Sequence, residues 1–419
     1  MNRINKQLIF YAFLCILPLA GNAQEGAKEY LKEVLANLNK IKSATYLCQY
    51  ESWQPGDTLP LSVYQRLYQE IDNPEDTAVG CVYIYTDPAQ PGQIEFAYDG
   101  NQKYDFFHEN KGVIVDDFTF RPLPFRLLNP PFFNFCKNIL AYTFNTTDRI
   151  RYELKEEKDY YYFKLTIDEE EQVEFFGKAY HIPKPPFYVD PLSIYELWIS
   201  KSNNLPYKLR RDMSHDISVK ECKEAEFNTL ALEDFDVTKY IPKDYEIRTV
   251  QENENVRKDK MKEGDLTGKP APAWTLNNPD CQPVSLDDFK SEVLIISFTG
   301  IGCGPCQAAV PFLKELKAKY NDEKVDIVAI ESWSRRESAV KAYAERKKLN
   351  YNILTATDQV IKDYQTGGAA PRFFILDKQR IIRKTIKGYG GDRTNKEIIN
   401  TIATLLELSL IHISEPTRP

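Results

Sequence analysis

Two cysteines separated by two residues are the side chains of this sequence best suited to chemistry. Cys303 and Cys306 enclose Gly304 and Pro305, after an apolar run typical of a buried strand and before a pattern typical of a helix. A cysteine at a helix N-terminus faces free backbone N–H groups and the positive end of the helix dipole, which lower the thiol pKa from about 8.5 toward neutrality. Cys303 is therefore the predicted nucleophile, and Cys306, one turn deeper, is predicted to resolve a mixed disulfide.

The same pair could instead be half of a zinc site or a purely structural pair. A tetrahedral zinc site needs two further ligands, and the sequence has no second close pair of cysteines. Its four histidines are scattered, at His108, His181, His215 and His412. Thiol–disulfide exchange, which needs neither a metal nor an organic cofactor, is therefore the favoured chemistry.

A proline at the start of a predicted strand is the second candidate. Pro371 follows Ala370 and precedes the apolar run 372–376. A cis bond is accessible to an X–Pro peptide, and a cis Pro371 facing the cysteines would leave the backbone of Ala370 free to pair with an extended substrate. The alternative is an ordinary trans proline, but beside the cysteine motif we favour the cis bond and predict that Ala370 and Pro371 bind substrate.

The elements that position these residues alternate between strand and helix patterns. The predicted strands are 293–298, 324–330, 372–376 and 381–386, and the predicted helices are 305–320, 337–348 and 394–408. This order predicts an α/β domain over residues 266–408, with a central mixed sheet and helices on both faces.

Four stretches of this segment match a known family in order: GKPAPAW at 268–274, PVSLDDF at 283–289, the strand leading into CGPC at 303–306, and APRFFILD at 370–377. Residues 268–408 thereby resemble the TlpA-like branch of the thioredoxin superfamily, which are exported, often membrane-tethered thiol–disulfide oxidoreductases. The resemblance implies a thioredoxin-like fold with a redox-active disulfide, in which Cys303 is the attacking thiol, Cys306 the resolving thiol and Pro371 the cis-proline.

Three positions depart from the family pattern. The family usually has tryptophan before the first cysteine and often glutamate three residues after the second, whereas this sequence has Gly302 and Ala309. Ser297 stands where thioredoxin has a buried aspartate. The usual carboxylates that move the proton of the resolving thiol are therefore missing. Glu331, at the end of the second predicted strand, or water would have to serve, and slower or more selective exchange would follow.

The region 24–245 has a different pattern. The region opens with apolar residues at helical spacing. Short aromatic and β-branched runs between turn residues follow, which predicts an α+β domain with an antiparallel sheet. The predicted strands are 79–86, 93–98, 112–116, 160–167 and 195–200, the last in a hairpin with 206–211.

FAYDG at 96–100 and ELWIS at 196–200 make this region resemble LolA-like lipoprotein carriers, which are curved half-barrel sheets with a helix around a hydrophobic cavity. The resemblance implies a lipid or lipoprotein ligand. The alternative is a β-rich adaptor whose aromatic side chains fill the core.

Segments outside the two predicted domains have their own signatures. Residues 1–23 have a basic start, an apolar run and small residues before Gln24, which predicts a secretory signal and a periplasmic or otherwise extracytoplasmic bacterial location. An uncleaved signal, the alternative, would be an inner-membrane anchor. The charged stretch 246–265 lacks apolar periodicity and is predicted to be an exposed linker. Residues 409–419 resemble a translated sequencing adapter and are predicted to be a non-native tail.

The remaining cysteines stand alone in the sequence, and core packing is the prediction for each, although an export location would also permit one or two bridges. They are Cys48, Cys81, Cys136, Cys222 and Cys281, beside Cys15 in the signal.

Composition limits the partners. The 419 residues carry 54 Lys+Arg and 61 Asp+Glu, a formal net charge of −7, which argues against nucleic acid as the main partner because phosphate binding needs a basic face. We therefore expect an exported thiol–disulfide oxidoreductase that reduces disulfide-containing envelope proteins and is recycled by a membrane electron donor. The alternative is a lipid- or envelope-protein-binding protein whose thioredoxin-like domain serves for docking or redox sensing.

Overall fold

A computed structural model describes residues 17–120, 128–183, 188, 190–262, 265–334 and 336–414. The larger part of the predicted signal lies outside these ranges, and helix α1 (Leu17–Asn39) runs through the predicted cleavage point before Gln24. No helix in the described ranges combines the length and apolar character needed to cross a membrane.

The N-terminal half of the described chain forms one broad sheet and a small satellite sheet. The strands are β1 (Ser43–Trp53), β2 (Ser62–Asp72), β3 (Cys81–Thr86), β4 (Ile94–Tyr98), β5 (Lys103–Phe107), β6 (Gly112–Asp116), β7 (Ile150–Glu156), β8 (Tyr160–Ile167), β9 (Gln172–Phe175), β10 (Ala179–Ile182), β11 (Ser193–Ser200), β12 (Leu205–Met213), β13 (Ile217–Phe227) and β14 (Glu246–Thr249). The broad sheet has the order β14-β6-β5-β4-β3-β2-β1-β13-β12-β11-β8-β7, and β9 pairs with β10.

Alternation of buried and exposed positions explains how this sheet forms a core. Along β11 every second residue is buried, so that Tyr195, Leu197 and Ile199 point into one apolar layer. Helices α1 and α2 (Phe132–Asn145) pack in the same layer, which is rich in aromatic rings. Tyr46 on β1, for example, contacts Phe133 of α2 edge-on. The protein's own rings therefore occupy much of the helix–sheet interface.

A buried carboxylate holds the start of α2. Glu70 on β2 accepts hydrogen bonds from the backbone N–H groups of Phe133 at 3.3 Å and Asn134 at 3.0 Å. The hydroxyl of Tyr46 donates to Glu70 at 2.8 Å and accepts from the N–H of Phe132 at 2.6 Å. The N–H groups that a helix N-terminus leaves free are thus satisfied inside the core. Burial raises the pKa of Glu70 to about 7, although these hydrogen bonds oppose the shift.

The segment predicted to be a linker contains regular structure. Its first residues form β14, which pairs in parallel with β6 at the edge of the broad sheet, and α3 (Val250–Lys262) follows directly. The side chains of β14 are mostly exposed, so its apolar pattern gives no strand signal. Backbone pairing with β6 defines this strand, and side-chain type does not reveal such pairing.

The C-terminal part has the mixed sheet and the two helical layers that the sequence predicts. Its elements are β15 (Thr275–Asn277), β16 (Pro283–Ser285), β17 (Val293–Thr299), α4 (Gly304–Lys319), β18 (Val325–Glu331), α5 (Glu337–Lys347), β19 (Asn352–Thr355), α6 (Asp358–Asp363), β20 (Arg372–Leu376), β21 (Ile382–Lys387) and α7 (Asp392–Ser414). The sheet order is β16-β15-β19-β18-β17-β20-β21.

The central strand β17 is buried along its whole length. It pairs in parallel with β18 and antiparallel with β20. Residues of α4 and α7 pack on one face of the sheet, and residues of α6 pack on the other. Helix α7 runs six residues past the predicted end at Leu408, into the segment predicted to be a non-native tail.

Candidate active site

Cys303 and Cys306 form a disulfide at the junction of β17 and α4, with their Cα atoms 5.2 Å apart. Cys303 is the N-cap residue of α4, and its Sγ accepts a hydrogen bond from the backbone N–H of Cys306 at 3.1 Å. Pro305 lies in the first turn, where its missing N–H costs no helical hydrogen bond. The positive end of the helix dipole therefore faces the Cys303 sulfur and favours negative charge there.

The loop before β20 lies against this disulfide. Because β20 is antiparallel to β17, the start of β20 meets the end of β17 at the same edge of the sheet. The Ala370–Pro371 peptide bond is cis, as predicted from its place beside the cysteine motif. Cys303 Sγ lies 3.8 Å from the carbonyl oxygen of Ala370. The structure thus brings Cys303, Cys306, Ala370 and Pro371 together.

The last residue of β1 and the turn to β2, together residues 53–61, reach the motif from the N-terminal sheet; we call this segment the hairpin tip. Gln54 in this tip is only 2% exposed. Its Nε2 lies 3.2 Å from the position that a Cβ on Gly302 would take. A large side chain at position 302 would therefore have to displace Gln54, which explains why glycine fits here.

Gln307, the residue after Cys306, ties the two halves of the chain together. Its Nε2 donates to the backbone carbonyls of Ile301 at 2.7 Å and His215 at 2.9 Å, and lies 3.5 Å from Oε1 of Gln54. All three partners are acceptors, so the NH₂ group of the amide must face them. The side chain of Gln307 is buried, and its contacts join α4 to two turns of the N-terminal sheet.

An ion pair and an apolar contact anchor the hairpin tip further from the cysteines. Arg346 on α5 donates to Asp57 at 3.0 Å, and the Asp57 side chain is only 6% exposed. Gly56, at φ +86°, lies against the Arg346 side chain, 2.9 Å from where its Cβ would be. Leu61 packs on the apolar cluster around Ile301. The hairpin tip is therefore held by an ion pair to α5 and by an apolar contact with the cluster around Ile301, which lies two residues before Cys303.

Proteins with similar sequences match the C-terminal segment. The Redoxin family model matches residues 266–402. The thiol-disulfide oxidoreductase ResA of Geobacillus thermodenitrificans is 30% identical over 122 residues, which are 29% of this chain and 69% of ResA. The chain belongs to the thioredoxin superfamily. ResA of Bacillus cereus is 27% identical over 31% of this chain and 73% of its own length. The thioredoxin-like protein YneN of Bacillus subtilis is 28% identical over 33% and 80%.

Among solved structures, the thioredoxin domain of a thiol-disulfide oxidoreductase from Bacteroides vulgatus is 24% identical and covers 32% of this chain and 97% of its own, with a TM-score of 0.29. The Redoxin match begins at residue 266, so the broad N-terminal sheet lies before it. The C-terminal part is a thioredoxin-like thiol–disulfide oxidoreductase domain, and the hairpin tip docks on this domain from outside it.

Glu331, the carboxylate predicted as an alternative to water for moving the proton of Cys306, holds backbone N–H groups in the structure. Ser297 and Ala309 are both buried, at the places where the family pattern has carboxylates. Glu331 is fully buried at the end of β18, and its Oε1 accepts the backbone N–H groups of Trp333 and Ser334, each at 2.8 Å. Glu331 therefore holds the loop after β18, and its role in moving a proton stays a prediction.

Sequence reasoning missed Trp333, Gln54 and Gln307. A signal for Trp333 was present, because parallel strands such as β17 and β18 end at the same edge of a sheet, where ligands usually bind. The two glutamines had no such signal, since the contact between them spans 253 residues.

The other described cysteines lie outside the thioredoxin-like active site. Cys48 on β1 faces Cys222 on β13 in register, and Cys48, Cys81 and Cys136 are buried as predicted. Burial raises the pKa of the Cys48 thiol to about 11. Cys281 is exposed, so the prediction of core packing is wrong for this residue, which lies in a turn between β15 and β16.

Proposed function

We propose that this protein is an exported thiol–disulfide oxidoreductase that reduces disulfides of envelope proteins through Cys303 and Cys306. The position of Cys303 Sγ carries the proposal: it lies at the N-cap of α4, 3.1 Å from the N–H of Cys306. That donor and the helix dipole stabilise thiolate over thiol, and the thiolate is the species that attacks a disulfide.

The reaction needs only the two sulfurs and protons. The Cys303 thiolate attacks one sulfur of the substrate disulfide, and the other substrate sulfur leaves as a thiolate that takes up a proton. Cys306 then loses its proton and attacks Cys303 in the mixed disulfide, which releases the second substrate thiolate. Two electrons pass to the substrate, and the enzyme is left with the Cys303–Cys306 disulfide. A membrane-bound dithiol donor would reduce this disulfide and close the cycle.

Ala370 and Pro371 are proposed to hold the substrate backbone. The Ala370 carbonyl lies 3.8 Å from Cys303 Sγ, so a polypeptide that pairs with Ala370 would run directly past the sulfur. Pro371 has no N–H group and so leaves this pairing to Ala370. Both cysteines are less than 5% exposed, and the hairpin tip covers the side of Gly302. Extended segments therefore fit the site better than folded surfaces do.

The export part of the proposal rests on the pattern of residues 1–23. If the signal is cleaved as proposed, the mature protein recovered from the envelope begins at Gln24. Recovery of a chain with an intact N-terminus would instead support the uncleaved membrane anchor.

Trapping tests the catalytic part. In the full chain with Cys306→Ser, Cys303 should form mixed disulfides with envelope proteins that survive without reductant, and Cys281→Ser should leave the wild-type reaction unchanged. The Cys303 thiol pKa, measured by alkylation, should be near or below 7, and the pair's potential in glutathione buffers roughly −200 mV or lower. A pKa near 8.5 with no trapped partner would overturn the proposal.

A further inference from the structure

Trp333 is an exposed aromatic residue at the edge of the redox site. Half of its surface, 50%, is exposed. A single exposed apolar side chain is ordinary on a protein surface, but this one contacts two segments that lead into the site. Those segments contain Gly300, three residues before Cys303, and Gly368, three residues before Pro371.

Three contacts fix the position of Trp333. Its Nε1 donates to the carbonyl of Gly368 at 2.8 Å, and its backbone N–H donates to buried Glu331 at 2.8 Å. The ring lies so close to Gly300 that a Cβ there would be 2.4 Å from Cδ2 of the indole. The ring is thus held with part of its surface against the protein and the rest in solvent. A side chain held in this way loses little conformational entropy when it binds a partner.

The two walls of the site differ in chemistry. On the side of Gly302 the buried amides of Gln54 and Gln307 form a polar contact between the two parts of the chain. On the side of Gly300 the wall is the open indole of Trp333. An extended polypeptide beside Ala370 could therefore find an exposed apolar surface at Trp333, whereas the amides of Gln54 and Gln307 are buried.

We propose that Trp333 is a specificity-determining residue that binds an aromatic or large aliphatic side chain close to the reacting cysteine of an extended polypeptide. This inference rests on the proposed function, because it specifies the substrates of the same redox site more narrowly. Aromatic rings pack favourably on an indole face, whereas an acidic side chain meets only the negative charge of the ring face. Oxidised glutathione carries no large apolar side chain to place on the ring.

Two disulfide-bonded peptides of equal length test the proposal, one with phenylalanine and one with serine flanking the cysteine. Oxidised glutathione serves as the small disulfide. In the full chain, Trp333→Ala should lower kcat/KM about tenfold for the phenylalanine peptide and less than twofold for the other two. Trp333→Phe should keep most of the activity, and Tyr240→Ala, which changes an exposed aromatic residue of the N-terminal part, should have no effect.

A binding measurement separates this inference from the proposed function. In a Cys303→Ser, Cys306→Ser background, the reduced phenylalanine peptide should bind about tenfold more tightly than the serine peptide, and Trp333→Ala should remove the difference. If the wild type reduces no disulfide while this difference persists, the proposed function fails and the role of Trp333 stands. Equal losses on all three disulfides, or equal binding of both peptides, would overturn the role of Trp333.

Discussion

The amide of Gln307 offers a sharp test of how the hairpin tip meets the redox site. Its Nε2 faces two backbone carbonyls and the Oε1 of Gln54, and all of these are acceptors. Gln307→Glu keeps the size of the side chain but replaces the donor by a carboxylate oxygen. The ionised carboxylate can donate to none of the three oxygens and repels them, so the contact between α4 and the N-terminal turns should break.

The magnitude follows from the hydrogen bond to His215, which crosses between the two parts of the chain, whereas Ile301 lies in the same domain as Gln307. The carbonyl of His215, now 2.9 Å from Nε2, would lose its donor inside a buried contact. A buried polar group left without its partner costs about 1–3 kcal/mol, so the docked state should lose about 1–3 kcal/mol. Even the lower value raises the population of the open state about fivefold.

Hydrogen exchange of the hairpin tip measures this opening in the full chain. Peptides that cover residues 53–61 should exchange at least about fivefold faster in Gln307→Glu than in the wild type. The effect should be smaller at pH 4 than at pH 8, because a protonated glutamic acid regains one donor. Gln379→Glu introduces the same charge at an exposed site of the same domain and should leave the exchange unchanged.

Exchange within twofold of the wild type in Gln307→Glu at pH 8 would refute the reasoning. It would mean that the hairpin tip does not rest on α4 in solution, and the explanation of Gly302 by Gln54 would fall with it. Reduction of oxidised glutathione by the same variant shows whether the dithiol itself survives the change.

Three further outcomes follow from the structure. Gly302→Trp should displace Gln54 and raise exchange in the hairpin tip at least tenfold, and Gly302→Ala should raise it less; no change in either would contradict the contact. Because the pKa of Glu70 is about 7 in the folded chain against 4.5 for the free group, the native state binds its proton more tightly, and stability should fall by about 3 kcal/mol between pH 4.5 and 7. Urea unfolding of Glu70→Gln should lack this part of the wild-type fall, and an equally steep profile would refute the assignment. A maleimide should label exposed Cys281 in the native protein far faster than buried Cys48, and equal rates would show that the core opens.

The C-terminal domain could be predicted because its signals are local. The apolar run of β17 predicts a strand with both faces covered, and all of its residues are buried. The change from this run to the helical pattern of α4 places the cysteines at a strand–helix junction. β20 has the predicted bounds, since Pro371 and the turn after Leu376 limit it on both sides.

The N-terminal part was harder to predict, because several of its sequence patterns are irregular or depend on residues far apart in the chain. β6 and β8 have the predicted bounds, but β1 and β2 were not predicted. α2 was missed although Phe132, Cys136 and Ile139 recur at helical spacing. Phe133 and Asn134 are buried as well, so the first turn has no polar face to mark the period.

The docking of the hairpin tip has a consequence for how the protein matures. Gln54 and Gln307 are 253 residues apart, so their contact can form only after both parts of the chain have folded. Synthesis completes the N-terminal part first, and domains generally fold as units. The newly made cysteine motif therefore passes through a period without the hairpin tip beside Gly302, in which an oxidant or partner thiol has freer access to the motif. Docking ends that period, so we expect the same dithiol to react faster during biogenesis than in the finished protein.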